Sequence, residues 1–443
     1  MNRAQTIDRE LHRIDGLRPS DGSHCEKHIK MAQNPFRFFR GSASLFYHDI
    51  ATGALSMPEE LIHRIPVTNV VGDCHLSNFG FMTEEGSHGD TVIFAPNDFD
   101  DACAGHSVWD LVRFSTSLLL TQQYCDGLVK GHYDSADFLA DPDIKAATTT
   151  GALKAINGFL ESYLEQCVSI IEDKDMRDAV IFNFDKDHVL RKARRKAKNR
   201  AAGGKHFHTK SALAKSIDLS DLHPKFDLTQ NKFKALDEPL FNEIHEVFSP
   251  YVDDLILDVT KRLGAGTGSV NMERFYLLVG PQDFFGEEDL NLCHIVEVKQ
   301  QRYAAPLMHF EALSPMNRLN PAHLTVACQK RMQRKADLVL DEVEWKGHHW
   351  LVRSRHHARV GIDPEDIGLG IEDPDKQLYE YAQTCGSALA LAHARGDRRS
   401  TRFEQAVVHT LPDYAGQVAE LALMNMTRVL EDTLILQELM EAK

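Results

Sequence analysis

The chain has 443 residues, 43% of them hydrophobic, enough to bury a sizeable core in two or three packed layers. It holds no run of eighteen or more apolar residues and starts on the polar stretch MNRAQTIDRELHRIDG, so neither a membrane span nor a secretory leader is expected, and the expected address is cytoplasmic. With 65 acidic against 50 basic residues the net charge is −15, which argues against general nucleic-acid binding and requires any anionic ligand to be held locally.

Residues 1–60 carry a basic, aromatic stretch, KHIKMAQNPFRFFRGSASLFYHDIATG, expected to pack on the body that follows. Short strands are predicted near residues 67–72 and 91–94, beside the polar stretches VVGDCHLSNFGF (70–81) and APNDFDDA (95–102). Val108, Leu111, Val112, Ser115 and Leu119 share one helical face, as do Leu153, Ile156, Leu160, Tyr163 and Cys167, so residues 107–172 read as mostly helical. Asp100 and Asp101 are placed to cap the helix that starts near Ser107. The tract DKDHVLRKARRKAKNRAAGGKHFHTK (185–210) reads as a solvated basic helix and flexible loop. From about residue 250 the pattern turns strand-like: LILDVTKRLGAGTGSVNMERFYLLVG predicts a hairpin around Gly264, Gly266 and Gly268. A further strand, Ile295 to Val298, ends on Lys299. A helix carrying Leu324, Cys328, Met332 and Leu338 follows, then the strand HHWLVRSRH and two closing helices. The eight cysteines show no C-x-x-C pair, which predicts reduced thiols rather than a disulfide frame.

The chemistry concentrates in the two polar stretches. A divalent metal on a nucleotide phosphate needs hard oxygen ligands, and Asn78 and Asp98 are suitable, with Asp100 a further candidate. Asp73, five positions before Asn78, could orient an acceptor hydroxyl and take its proton. A glycine hairpin lets backbone N–H groups approach phosphates, so Gly264, Gly266, Gly268 and Ser269 are candidate nucleotide contacts, with Lys299 neutralising the nonreacting phosphates. His75 reads as a hydrogen-bonded structural residue, and Arg40 as a brace for the aromatic cluster.

At these residues the chain resembles the protein-kinase-like superfamily, especially its aminoglycoside-phosphotransferase and choline-kinase branch. VGDCHLSN matches the catalytic loop H-G-D-x-H-x-x-N from Gly72 onward, with Val71 in place of the histidine; NDFDD matches the metal motif; WDL supplies Asp110. The resemblance implies Asp73 as catalytic base, Asn78 and Asp98 as metal ligands, Asp110 as a brace for the catalytic loop, and ATP with Mg2+ as cofactors. The chain is also similar, over roughly residues 25–400, to a bacterial family catalogued as domain of unknown function 2252, through NPFRFFRGSASLFYHD, GDCHLSNFG, NDFDDA, WDLVRFSTSL, GAGTGSV and CGSALALAHAR.

In ordinary kinases the glycine loop and lysine precede the catalytic loop, whereas here Gly264 to Lys299 follow Asp98. The expected fold is therefore a two-lobed α+β protein-kinase-like fold, circularly permuted. Residues 1–60 pack on the catalytic lobe, 61–248 form that helical lobe, 249–355 the small β-rich lobe, and 356–443 the helices that complete the large lobe. The helix with CGSALALAHAR would then bring His393 near Asp73, and Glu311 is a candidate partner for Lys299. The expected function is ATP- and Mg-dependent phosphoryl transfer to an unidentified acceptor, a small molecule favoured over a protein. A nucleotide-binding regulatory pseudoenzyme, an AMP transferase on the same fold and a metal-dependent hydrolase are the alternatives.

Overall fold

The structure, a computed structural model, describes residues 2–22, 25–85, 91–135, 138, 141–220, 224–264, 272–284, 286–397 and 399–441. Two short antiparallel pairings set the polar loops face to face. Strand β1 (Thr68–Val70) pairs with β4 (Cys103–Gly105), Val70 opposite Cys103. Strand β2 (Phe79–Thr83) pairs with β3 (Val92–Pro96), Phe79 opposite Pro96. The loop 71–78 runs from β1 to β2 and the loop 97–102 from β3 to β4, so the same two ladders clamp both loops at both ends. Their approach is close enough to demand glycine: Gly72 has φ +80°, and a Cβ there would lie 1.9 Å from the Asp101 carbonyl oxygen.

Helices enclose this unit. Ser107–Val129 is buried on nearly every side, and its hydroxyls bond back to the preceding turn, Thr116 to Val112 O and Thr121 to Ser117 O at 2.8 Å each, so they enter the core without losing partners. It packs on Thr149–Glu172 and on the long closing helix Arg402–Glu441. Pro374–Asp397 lies along Thr149–Glu172 at a distance only glycine permits, since a Cβ on Gly386 would sit 2.2 Å from Phe159 O.

The second body is a six-stranded antiparallel sheet built from β5 (Phe233–Lys234), β6 (Leu255–Arg262), β7 (Arg274–Gly280), β8 (His294–Gln300), β9 (Leu340–Trp345) and β10 (His348–Arg355). Their order across the sheet is β9-β10-β8-β7-β6-β5. One face, with Phe275, Leu277, Val296, Val298 and Val352, packs against Ile244 and Phe248 of the Glu238–Phe248 helix. The sheet thus recruits β5 and this helix, and the small body begins near residue 233 rather than at 249. Period-two alternation turns Arg274, Tyr276, Glu297, Lys299, Arg353 and Arg355 to the opposite face. Part of that face is covered by Phe207, Leu213 and Phe226. The basic tract is therefore solvated along most of the Arg191–Arg200 helix, with Ala197 buried, and the segment after it is anchored by the buried Phe207.

The hairpin, the Lys299 strand and the helix after it form as the patterns predict, but that helix, Pro321–Met332, stops short of Leu338, which is 71% exposed. The α+β class holds; all eight cysteines are free and buried. Among the described residues no helix is long and apolar enough to cross a membrane.

Candidate functional site

Asp110, fully buried in the first turn of Ser107–Val129, accepts from the backbone N–H of Val71 at 2.7 Å and of Gly72 at 3.0 Å. It braces the loop as the resemblance implied. His393 Nε2 lies 3.0 Å from Asp110 Oδ2, the oxygen that also accepts from Val71, and the His393 carbonyl accepts from Thr68 at 2.7 Å. The Pro374–Asp397 helix therefore delivers a histidine to the stem of the loop, whose own position 71 is valine. Tyr47 completes the brace by donating to Gly72 O at 2.5 Å.

Asp73 emerges from this stem with one oxygen engaged: Arg113 donates to its Oδ1 through Nε at 2.8 Å and Nη2 at 2.5 Å. Arg113 is buried, lies 4.0 Å above the Phe39 ring and donates to Phe39 O at 2.8 Å. It was missed at the sequence level, although D-x-x-R places Asp110 and Arg113 on one helical face. Arg113 braces the aromatic cluster, lying over both the Phe39 and the Phe46 rings. His75 Nε2 stands 3.7 Å from Asp73 Oδ2; burial first, then Arg40 and Arg113, push the imidazole well below its ordinary range, so it is neutral. Asn78 donates its Nδ2 to Asp73 O at 2.8 Å, which turns its Oδ1 the other way.

On the facing loop, burial and then the neighbouring Asp100 charge push the Asp98 carboxyl up. Asp100 goes the opposite way: burial alone would raise it, but Lys299 and Arg353 hold it well below the usual carboxylate range. Lys299 donates to Asp100 Oδ2, and Gln301 to Oδ1 at 3.0 Å. Asp101 takes both Arg302 nitrogens, at 2.8 and 3.0 Å, and Ala305 N at 2.7 Å. Neither aspartate caps the helix at Ser107, whose N-cap, His106, makes no side-chain cap bond. Nor is Glu311 the counter-ion of Lys299; it is exposed in the turn Glu311–Leu313, and the acidic partner comes from the facing loop.

Lys299 is the inner member of a charged row. Glu297, two residues earlier, is buried between Arg274 at 2.9 Å and Arg353 at 2.8 Å, its pair across the β8–β10 ladder. Arg355 and Arg359 line the crevice beside this row together with Asn97, Phe99, Gln329 and Arg353, around a cavity of about 20 Å³. Among the described residues, Asn97 Oδ1 and Arg355 Nε are buried without a hydrogen-bond partner. Gly264 follows the first hairpin strand by two residues at φ +62°, while Gly266, Gly268 and Ser269 lie outside the described residues.

A family model described as "Uncharacterized protein conserved in bacteria (DUF2252)" matches residues 24–131 and 143–438. The chain belongs to the DUF2252 family. Neither the curated proteins nor the solved structures compared with this DUF2252 chain give a match. In it, the residues singled out by sequence converge: Asp73, Asn78, Asp98, Asp100 and Lys299 all lie on the two clamped loops or on the strand facing them.

Proposed function

We propose that this protein is a kinase-like phosphotransferase using ATP and Mg2+. The observation that carries the proposal is the contact of Lys299 with Asp100, which closes the small sheet onto the acidic loop. Lys299 lies on the third strand of the β6–β7–β8 meander, and the glycine tract joins the first two. That is the arrangement in which kinases cover and neutralise a triphosphate. A hard divalent ion suits the donor set, because Asp98 is destabilised as an anion by burial and by Asp100. When bound, Mg2+ would neutralise phosphate charge. Asp98 and the Asn78 amide oxygen would hold it; Asp100 has both oxygens engaged and serves as the counter-ion of Lys299. Arg113 fixes Asp73 so that Oδ2 is the oxygen left to orient an acceptor hydroxyl and take its proton.

The test is a thermal-shift titration with ATP, with and without magnesium. Binding at a hundredfold excess over Kd is worth about 2.7 kcal/mol. ATP with magnesium should raise the melting temperature, and Asp98→Ala should abolish the magnesium-dependent part. No nucleotide effect in the wild-type chain removes the proposal. A regulatory nucleotide-binding role is favoured by one observation, the double hydrogen bond that ties Asp73 Oδ1 to the buried Arg113. Asp73→Asn separates the two: an enzyme loses turnover and keeps nucleotide affinity, whereas a sensor has no turnover to lose and keeps its nucleotide binding and regulatory effect. The mass added to a labelled acceptor distinguishes phosphate from AMP transfer.

A further inference from the structure

Away from the crevice, Asp15, Cys25 and His28 bring a carboxylate oxygen, a sulfur and an imidazole nitrogen within 4.8 Å of one another. Asp15 ends the Arg3–Asp15 helix, and the other two flank the start of Glu26–Met31. The imidazole is fully buried. Its Nε2 lies 3.2 Å from Asp15 Oδ2, while Nδ1 has no hydrogen-bond partner among the described residues. One nitrogen of the ring is within 4.8 Å of both the Asp15 oxygen and the Cys25 sulfur. A carboxylate that orients a histidine, and a histidine next to a thiol, is the constellation that generates a nucleophilic thiolate.

We propose that Cys25 is a nucleophilic thiolate, paired with His28 and oriented by Asp15, and that it is a site of modification by peroxide-class oxidants and other small electrophiles.

The contrast with the other cysteines supports this assignment. Burial pushes the thiols of Cys74, Cys103, Cys125, Cys167, Cys293, Cys328 and Cys385 up, and all seven are at most 1% exposed. Cys25 keeps 7% of its surface and moves the other way: burial would raise it, but His28, through both its side chain and its backbone N–H, pulls it below the ordinary thiol value. His28 is in turn pushed up to about 9, since Asp15 and Cys25 outweigh the effect of burial.

The other charges facing the group are Lys27, whose ammonium donates to Asp15 Oδ1 at 2.7 Å, and Arg302, which feels the Asp15 charge. With Lys27 and a protonated His28 already on Asp15, the cluster is compensated as it stands, which disfavours a divalent ion in the same place. In the reaction, the thiolate attacks one peroxide oxygen and the O–O bond breaks. The sulfur is oxidised by two electrons to the sulfenic acid while peroxide is reduced; the departing hydroxide takes the His28 proton and leaves as water.

The experiment is pulsed iodoacetamide labelling of the full chain between pH 5 and 9, with peptide mapping by mass spectrometry. Thiolate fraction rises as the pKa falls while intrinsic nucleophilicity drops more slowly, so Cys25 should label roughly tenfold faster at pH 6 in the folded chain than in the urea-unfolded one. The other seven cysteines should label only after unfolding. Hydrogen peroxide followed by dimedone should place an adduct on Cys25, and His28→Asn should return its pH profile to that of an ordinary thiol, near 8.5. If that variant does not fold, the wild-type profile alone decides. Labelling of Cys25 no faster in the folded chain at pH 6 overturns the proposal, as does stoichiometric zinc that survives dialysis and protects Cys25.

Discussion

Asp110→Asn should loosen the loop that carries Asp73. In the wild-type chain the carboxylate only accepts: from Val71 N at 2.7 Å, Gly72 N at 3.0 Å and His393 Nε2 at 3.0 Å, which must therefore carry a proton. Asparagine supplies one oxygen and one NH2. His393 can adapt by moving its proton to Nδ1, because the Tyr163 hydroxyl 2.8 Å away accepts as readily as it donates. Its Nε2 then accepts from the new amide. No such exchange is open to the two backbone N–H groups, which compete for a single, uncharged oxygen. One buried donor left without a partner costs about 1–3 kcal/mol, and the lost charge assistance on the surviving bonds about 1–2 kcal/mol more. The sum is about 2–5 kcal/mol, read from the urea midpoint at fixed slope. Hydrogen exchange should localise the change, with Val71 and Gly72 losing protection before the Thr149–Glu172 helix. A stability change below about 0.5 kcal/mol, or unchanged exchange at Val71 and Gly72, would refute the bracing role.

Gly72→Ala should cost more than its positive φ alone, about 1–2 kcal/mol, since its Cβ meets backbone rather than a movable side chain; an unchanged melting temperature would contradict the closeness of the loops. Lys299→Met removes the ammonium from the partly buried Asp100 and leaves Gln301 as its side-chain hydrogen bond; breaking a buried pair costs about 3–5 kcal/mol, and the 17% exposure of Asp100 places this one toward the lower end. Adding Asp100→Asn should restore part of that loss, whereas simple additivity in the double variant would mean the pair is not coupled. The His356–Asp337 pair, 3.0 Å apart, predicts a pH dependence: burial opposes the charge on His356, but Asp337 raises its pKa above the unfolded value of about 6.5. Its stabilising contribution is therefore complete below that value and lost as pH rises through the folded-state pKa. His356→Gln should flatten this alkaline limb in denaturation midpoints, and an identical pH slope in both chains would count against the pair.

The placement of the candidate residues was legible in the sequence because they sit on short spacings. Asp73 and Asn78 share one loop, Asp98 follows a strand, and Lys299 ends another, so period and turn patterns sufficed to find them. The α+β class and the glycine hairpin followed from the same signals. What stayed hidden depends on pairing across the chain. Nothing near Lys299 announces Asp100 as its counter-ion, and Glu297 reads as an ordinary strand residue until β10 sets Arg353 opposite it. The Pro321–Met332 helix was extended to Leu338 because the apolar period continues past its end, while the chain turns at Gln333. The small body was started too late because β5 has only two residues, below any pattern threshold, and the Glu238–Phe248 helix carries no mark of which core it covers.

The contact between His393 and the stem at Thr68 has a consequence for biosynthesis. The partners are 325 positions apart, and a ribosome adding about 5–20 residues per second needs roughly 15–65 s to bridge that gap. Throughout that interval Asp110 emerges charged and apolar strands emerge uncovered, with the histidine that completes them not yet translated. Maturation of the nascent polypeptide is thereby deferred until its final helices leave the exit tunnel, which exposes it to holdase chaperones and proteases for most of its production.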